Sequence, residues 1–377
     1  MAIANFSRRG LLRHLGLGAG GVALVGVSAA CGTTSEHERR EATKRLLQEQ
    51  RAGAAATAQP ATQTANHASH GATMVQASPR AGSSADEMDR HHEEGITSFP
   101  AKTKGIGGQP LAFEMDGDTK VFTLTCDAVR WEVRPEEYKD AFAYNGTLPG
   151  PEIRVTEGDR VRFVVTNNLP ESTSVHWHGL RTPNGMDGVP FITQPPIKPG
   201  ATFTYEFVAE PAGTHMYHSH HNAMEQVGKG LLGPFIIEPR DRSTYPAFDR
   251  EYTIVLNDTL LGFTLNGKSF PATQPLKASL GERVLVRYLN EGLMNHPMHL
   301  HGMPMQVVAK DGYLLSSPYF CDNLDIAPGD RYEVIIEADN PGTWAFHCHT
   351  LSHAEAPTGM FGLVTVLIVD DPSKSSA

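Results

Sequence analysis

The stretch WAFHCHTLSH, from Trp344 to His353, sets a cysteine between two histidines and a third histidine five residues beyond it. Three further His-x-His pairs stand at His176/His178, His218/His220 and His299/His301. On an extended strand, residues two apart share a face, so each pair turns two imidazoles toward one spot. Neutral imidazole accepts copper, zinc, iron and nickel alike, and the pairs alone do not choose among them. Cys348 does choose. Lying between His347 and His349, it points to the opposite face of the strand, toward a second metal, and the peptide joins the two sites covalently. Partners for that second metal are near in sequence: His296 in HPMHLHG, His353 in HCHTLSH and Met360 in TGMFG. Two imidazoles, a thiolate and a weak thioether make up the donor set of a blue-copper electron-transfer site.

These residues recur in a duplicated frame. Glu157–Gly179 (EGDRVRFVVTNNLPESTSVHWHG) aligns with Leu280–Gly302 (LGERVLVRYLNEGLMNHPMHLHG), with 18 residues from Gly158 to His176 and 18 from Gly281 to His299. PGATFTYEFVAEPAGTHMYHSH aligns with PGDRYEVIIEADNPGTWAFHCH, again with 18 residues from Gly200 to His218 and from Gly329 to His347. The repeat supplies an internal control. Opposite His296, Cys348, His353 and Met360 the first half carries Thr173, Ser219, Met224 and Leu231, while its four paired histidines remain. The blue site therefore belongs to the second half alone, and the cluster ligands are shared equally.

The elements that must hold these side chains read as β-strands. VFTLTCDAVRWEV, IRVTEGDRVRFVV and ATFTYEF alternate apolar and polar residues between turns, and the pattern restarts with EYTIVLND, GERVLVRYL and DRYEVIIEAD. With 36 Gly and 26 Pro in 377 residues, the composition also favours a turn-rich, all-β chain. Two β-sandwiches follow, over 109–240 and 241–370, with a tail at 371–377. The net charge of -10 argues against a nucleic-acid partner, and four cysteines make no disulfide framework.

Ahead of the sandwiches, SRRGLL (Ser7–Leu12) and the apolar run after it read as a twin-arginine export signal over 1–30. Ser28-Ala29-Ala30 fits a cleavage site, and the same residues before Cys31 loosely match a lipid-attachment box, which makes Cys31 a candidate anchor. Residues 31–108 are poor in large apolar side chains and read as a linker, with one polar helix over Glu36–Gln50. His67, His70, His91 and His92 with Met74 and Met88 lie in it, as solvated residues or as a copper-collecting tail.

HWHG, HSH, HPMHLHG and HCHTLSH together resemble the four copper-binding motifs of the multicopper oxidases, over about Gln109–Asp370. The likeness is to two-domain, laccase-like members. It implies two cupredoxin-like Greek-key β-sandwiches and four coppers per chain, while the twin-arginine segment points to the periplasm or the outer cell surface. Carried over by position, His176 and His299 hold type 2 copper. His178, His218, His220, His301, His347 and His349 hold the type 3 pair, and His296, Cys348, His353 and Met360 hold type 1 copper. In such members the cluster forms between neighbouring subunits of a ring-like homotrimer, a closed head-to-tail arrangement. The family places its axial residue five positions after the last type 1 histidine, whereas Met360 is seven after His353.

The resemblance implies an oxidase that couples four one-electron oxidations of a small reducing substrate to reduction of dioxygen to water. The donor is a phenol, an aromatic amine or a metal ion such as Cu(I). A copper nitrite reductase would need only one cluster copper and a blue site in the first half. A non-catalytic copper or electron carrier would leave the four His-x-His pairs unexplained. Four protons are consumed per dioxygen, and Asp187, nine residues after His178, is a candidate donor, with a turn role in NGMDGVP as the alternative. Glu355 is a second candidate. His215 and His221 flank the HSH pair without being needed as ligands. Cys126 and Cys321 could pair in an oxidising compartment, but spacing fixes no such geometry.

Overall fold

The computed structural model describes residues 84–374. The expected export signal, Cys31, the helix expected over Glu36–Gln50, and His67, His70 and Met74 lie outside them. Among the described residues two β-sandwiches follow one another. In the first, one sheet runs Glu114–Asp116, Thr119–Arg134, Arg160–Asn167, Thr202–Val208, with Glu137–Tyr144 paired to the long strand. Its second sheet runs Ile153–Thr156, Leu232–Glu238, Gly213–His218, His176–His178. In the second sandwich a six-stranded sheet begins with Thr264–Leu265 and Arg250–Asn257, continues through Arg283–Asn290, Arg331–Glu337 and Met305–Lys310, and ends at Tyr313–Cys321. It faces a five-stranded sheet ordered Leu276–Ser279, Val364–Asp370, Gly342–Cys348, His296–Leu300, Asn323–Ile326.

The alternation read from sequence is the packing. Along Arg160–Asn167, Val161, Phe163 and Val165 are fully buried while the residues between them face outward. Phe163 stacks on Trp177, the central residue of the HWH strand, at 4.3 Å between ring centroids. Each such buried side chain contributes roughly 1.5–3 kcal/mol, so the paired histidines of this strand ride on an apolar back. The duplication is visible in detail too. Asn167 donates to the carbonyls of Glu171 and Ile197, and Asn290 in the second sandwich donates to those of Met294 and Ile326, closing equivalent loops.

A buried polar network bolts the sandwiches together. Arg287, with its side chain 2% exposed, reaches Thr214 and Glu333 at 2.7 Å each, and Thr214 donates to Glu333 at 2.6 Å. Arg154 bridges Glu152 and Glu251 at 2.9 and 2.8 Å, and Thr253 donates to Glu152. Burial lowers and the surrounding carboxylates raise the Arg287 pKa; the carboxylates prevail.

The linker expectation for 31–108 is revised at its C-terminal end. Ser84–Thr97 forms a helix, α1, and the chain after it is pinned to the second sandwich: Phe99 stacks on Phe270 at 5.2 Å and Ala101 N–H donates to Pro271 at 2.8 Å. The inner face of α1 is only His91, His92 and Gly95, too sparse an apolar pattern to announce a packed helix from sequence.

Candidate metal centre

Alternation along the strand Gly342–Cys348 divides the HCH segment as its spacing requires. Phe346 and Cys348 are buried, while His347 is half-buried and His349 exposed. On the buried face three donors converge. Cys348 Sγ lies 3.8 Å from His296 Nδ1 and 3.7 Å from His353 Nδ1, and the two nitrogens are 3.3 Å apart. A first-row ion with bonds of about 2.0 Å to nitrogen and about 2.3 Å to sulfur reaches all three. Burial holds His353 below its ordinary pKa, hence as the neutral ligand form, and pushes the Cys348 thiol up, partly offset by hydrogen bonds from Thr350. A bound cation reverses that penalty, because it stabilises the thiolate.

Two residues that the motifs did not reveal fix this trio. Asp258 Oδ2 lies 2.9 Å from His296 Nε2, leaving Nδ1 for the metal. Burial raises the Asp258 carboxyl, but hydrogen bonds from His296 and the amides of Leu293 and Met294 prevail and hold it below its usual value. Phe263 stacks on the His353 ring at 4.3 Å. Both arrive from the loop after the strand Arg250–Asn257, where no spacing signals them. Met360 is placed differently from the trio: it is 40% exposed, on a short hairpin in which Gly359–Met360 pairs with Glu355–Ala356.

In the first sandwich the equivalent position is knitted shut. Thr173 and Ser219 both donate to Gln226 Oε1, at 2.7 and 2.5 Å, and Gln226 Nε2 donates to Glu171 and to the Ser172 carbonyl at 2.8 Å each. All three of Thr173, Ser219 and Gln226 are 0% exposed. Met224, which the alignment sets opposite His353, is instead 70% exposed. Gln226 is therefore the residue that fills the space of the missing metal, and the alignment did not single it out.

The paired histidines form two groups of four. His176, His178, His218 and His220 are neighbours in the first sandwich, and His299, His301, His347 and His349 in the second. The groups share two anchoring bonds. His176 Nδ1 donates to the Asp187 carbonyl at 2.7 Å and His299 Nδ1 to the Asp322 carbonyl at 2.7 Å. His218 donates to the Ser219 carbonyl and His347 to the Cys348 carbonyl, both at 2.9 Å. Each bond fixes a tautomer and leaves Nε2 of the ring for metal. His178 Nδ1 and His218 Nε2 stand 3.3 Å apart, and His301 Nε2 and His347 Nε2 3.1 Å apart. Burial lowers His178 to about 3 and His218 to about 4, so both are unprotonated ligands at neutral pH. Among the described residues, no ring pair or hydrogen bond joins one group to the other, so the eight imidazoles do not converge within one chain. His220, His301 and His349 are exposed.

Asp187 ends the short helical turn Asn184–Met186, and its carbonyl anchors His176 while its Oδ1 lies 3.5 Å from the same nitrogen. Its counterpart Asp322 follows Cys321 at an unrelated spacing, which hid it from the repeat. Glu355 is exposed; burial lowers the His347 pKa, and the Glu355 charge is among the weaker effects opposing it. His215 is fully buried, donates to the Pro211 carbonyl, and is held neutral by burial at about 4, wedged behind Gly179 and Gly312. His221 Nδ1 is enclosed without a partner. Cys126 and Cys321 are free thiols rather than a disulfide: Cys126 is sealed in the first core and Cys321 sits at the end of an edge strand of the second sandwich.

Comparison with known proteins agrees with this geometry. Two multicopper oxidase family models match residues 125–242 and 244–370. The blue copper oxidase from Nitrosomonas europaea is similar in structure with a TM-score of 0.62 and 35% identity, covering 66% of this chain and 85% of that one. Laccase-2 of Botryotinia fuckeliana is 33% identical over 288 residues, 64% of this chain and 48% of that protein. Copper resistance protein A of Escherichia coli is 29% identical over 308 residues, 64% of this chain and 49% of that protein. The chain thus spans about half the length of these last two relatives. Matched domains, matched fold and a preformed His–Cys–His trio beside two histidine quartets make this chain a member of the multicopper oxidases, a family of copper-binding oxidoreductases.

Proposed function

We propose that the chain is the subunit of an exported copper oxidase that takes single electrons from a small donor and delivers four of them to dioxygen, releasing water. The observation that carries this reading is the strand Gly342–Cys348, which presents a buried thiol to one site and two imidazoles to another. When bound, copper supplies one-electron redox chemistry at the thiolate site and dioxygen reduction at the histidine sites. The chain's own residues do the rest. His296, Cys348 and His353 are fixed before loading, so little rearrangement accompanies electron transfer. Antiparallel pairing sets Met298 opposite Cys348 and His299 opposite His347, so sites on both faces are held by the same two strands. Met360 is the axial donor on this reading. Asp187, beside His176, is the proton carrier and Glu355 a second acid near His347.

A complete cluster needs one quartet from each of two chains. Exposed apolar side chains follow this pattern: Phe191 and Ile192 are 81% and 80% exposed in the loop after Asp187, and Leu351 and Phe320 are 56% and 66% exposed in the second sandwich. A head-to-tail homotrimer covers such surfaces and joins the quartets three times. The donor is a phenol, an aromatic amine or a reduced metal ion, and export follows the twin-arginine segment, with Cys31 as the candidate anchor.

Copper counting and oxygen uptake test the function. Copper-loaded protein should hold four coppers per chain, show a blue absorption band, and consume dioxygen with at least one member of a panel of phenols and reduced metals. One copper per chain with no uptake by any donor would identify an electron carrier instead.

A further inference from the structure

The segment from His353 to Leu363 closes the outer side of the thiolate site. It leaves His353, makes the hairpin with Glu355 opposite Met360, and returns. Its two arms are tied at the base: Phe361 N–H donates to the Ala354 carbonyl and Leu363 N–H to the His353 carbonyl, each at 3.0 Å. Motion of the hairpin is thereby coupled to His353.

Helix α1 lies across the returning arm, Gly359–Met360. At Gly359 the approach is so close that a side-chain carbon would come within 3.2 Å of His92 Cα and 3.5 Å of its ring. Only glycine, here at a φ of +109°, allows the helix so near. His92 Nε2 is enclosed and has no hydrogen-bond partner, so the ring is held there by shape. The chain beyond the helix locks onto the same segment. Phe99 packs on Phe270, Ala354 and Val364, and Phe270 N–H donates to the Gly362 carbonyl at 3.0 Å. The chain just after the helix and the residue after His353 therefore share one small core, at the base of the hairpin.

We propose that α1 is the outer wall of the blue-copper site, with His92 as a positioning residue that presses the Gly359–Met360 arm inward and keeps water from the His353 side. This rests on the reading of His296, Cys348 and His353 as the thiolate-site ligands. The consequence is electronic as well as structural: the axial donor and the dryness of the surrounding shell set the potential of such a site. The wall belongs to a segment that its composition marks as linker, so the potential is tuned by residues outside both sandwiches.

The test uses full-length, copper-loaded protein with His92→Ala and His92→Phe. His92→Ala should keep its copper content and its blue band. Its reduction potential should shift, moving the equilibrium with a one-electron mediator about tenfold, or about 59 mV, and the copper hyperfine splitting should change. His92→Phe, which refills the space without the nitrogen, should return both toward the wild-type values. In metal-free protein, amide exchange across residues 354–363 should quicken in His92→Ala and not in His92→Phe. An unchanged potential and hyperfine splitting in His92→Ala at full copper content would overturn the proposal. So would a His92→Phe protein shifted as far as His92→Ala. A wild-type protein with no blue band would overturn the underlying ligand assignment, and the proposal with it.

Discussion

At the scale of single residues, the candidate metal donors are legible because four His-x-His pairs repeat in a duplicated frame and one thiol breaks the symmetry. The residues that orient them were not. Asp258 and Asp322 reach their histidines from loops, and no periodicity links a loop carboxylate to a histidine 38 residues away. Glu291 was hidden for the same reason. It lines a small cavity with His178, His218 and Gly329, its Oε1 has no partner, and burial pushes its carboxyl up to about 8. In an unfolded chain the same group titrates near 4.3, roughly. Between those values the native state keeps a proton that the unfolded state has lost, so the contribution of Glu291 to stability declines as pH rises from about 4.3 to about 8 and is level above. Glu291→Gln abolishes that titration. Urea unfolding of metal-free protein should show the variant gaining on wild type from pH 5 to pH 8, by an amount on the order of 3–5 kcal/mol at most. A constant difference across that range would rule out a buried neutral carboxyl.

At the scale of elements, strands were foreseen and their packing partners were not. The alternation in RVRFVVTN and HCH predicted which side chains turn inward, and the structure agrees. What could not be foreseen is how closely other elements approach. Gly179 ends the HWH strand with a φ of +92°, and a side-chain carbon there would lie 2.6 Å from both Arg331 Nη2 and His215 Nδ1. Gly179→Ala must relax the left-handed backbone and displace two buried side chains, at a cost of about 2–4 kcal/mol. Thermal unfolding of metal-free protein should register this loss. After loading, copper should be depleted at the His176–His220 quartet while the blue band survives, because that band arises in the other sandwich. Loss of the blue band together with the quartet coppers would show that the two sandwiches do not load independently.

At the scale of the whole molecule, the Arg287–Glu333–Thr214 bolt holds the two sandwiches of a chain in a fixed relation while each quartet remains at a surface. Removing one partner from such a buried pair costs about 3–5 kcal/mol, so the two sandwiches move as one block, and in the trimer proposed above assembly would supply the pairing of quartets. Mixed assembly tests this. His178→Ala and His301→Ala proteins should each be blue and inactive in oxygen uptake. Dissociated, combined and reassembled, they should regain a fraction of wild-type activity, since some junctions then receive an intact quartet from each side. No recovery in mixtures shown by mass to contain both chains would place the cluster within a single chain.

The hydrogen-bonded closure at Thr173, Ser219 and Gln226 carries a lesson for anyone wishing to build a second blue centre into this scaffold. Copying in the two missing histidines and the thiol would leave the Gln226 amide between them, with its bonds to Glu171 and Ser172 intact. The graft would have to shorten residue 226 as well, and would give up the hydrogen bonds that close this position.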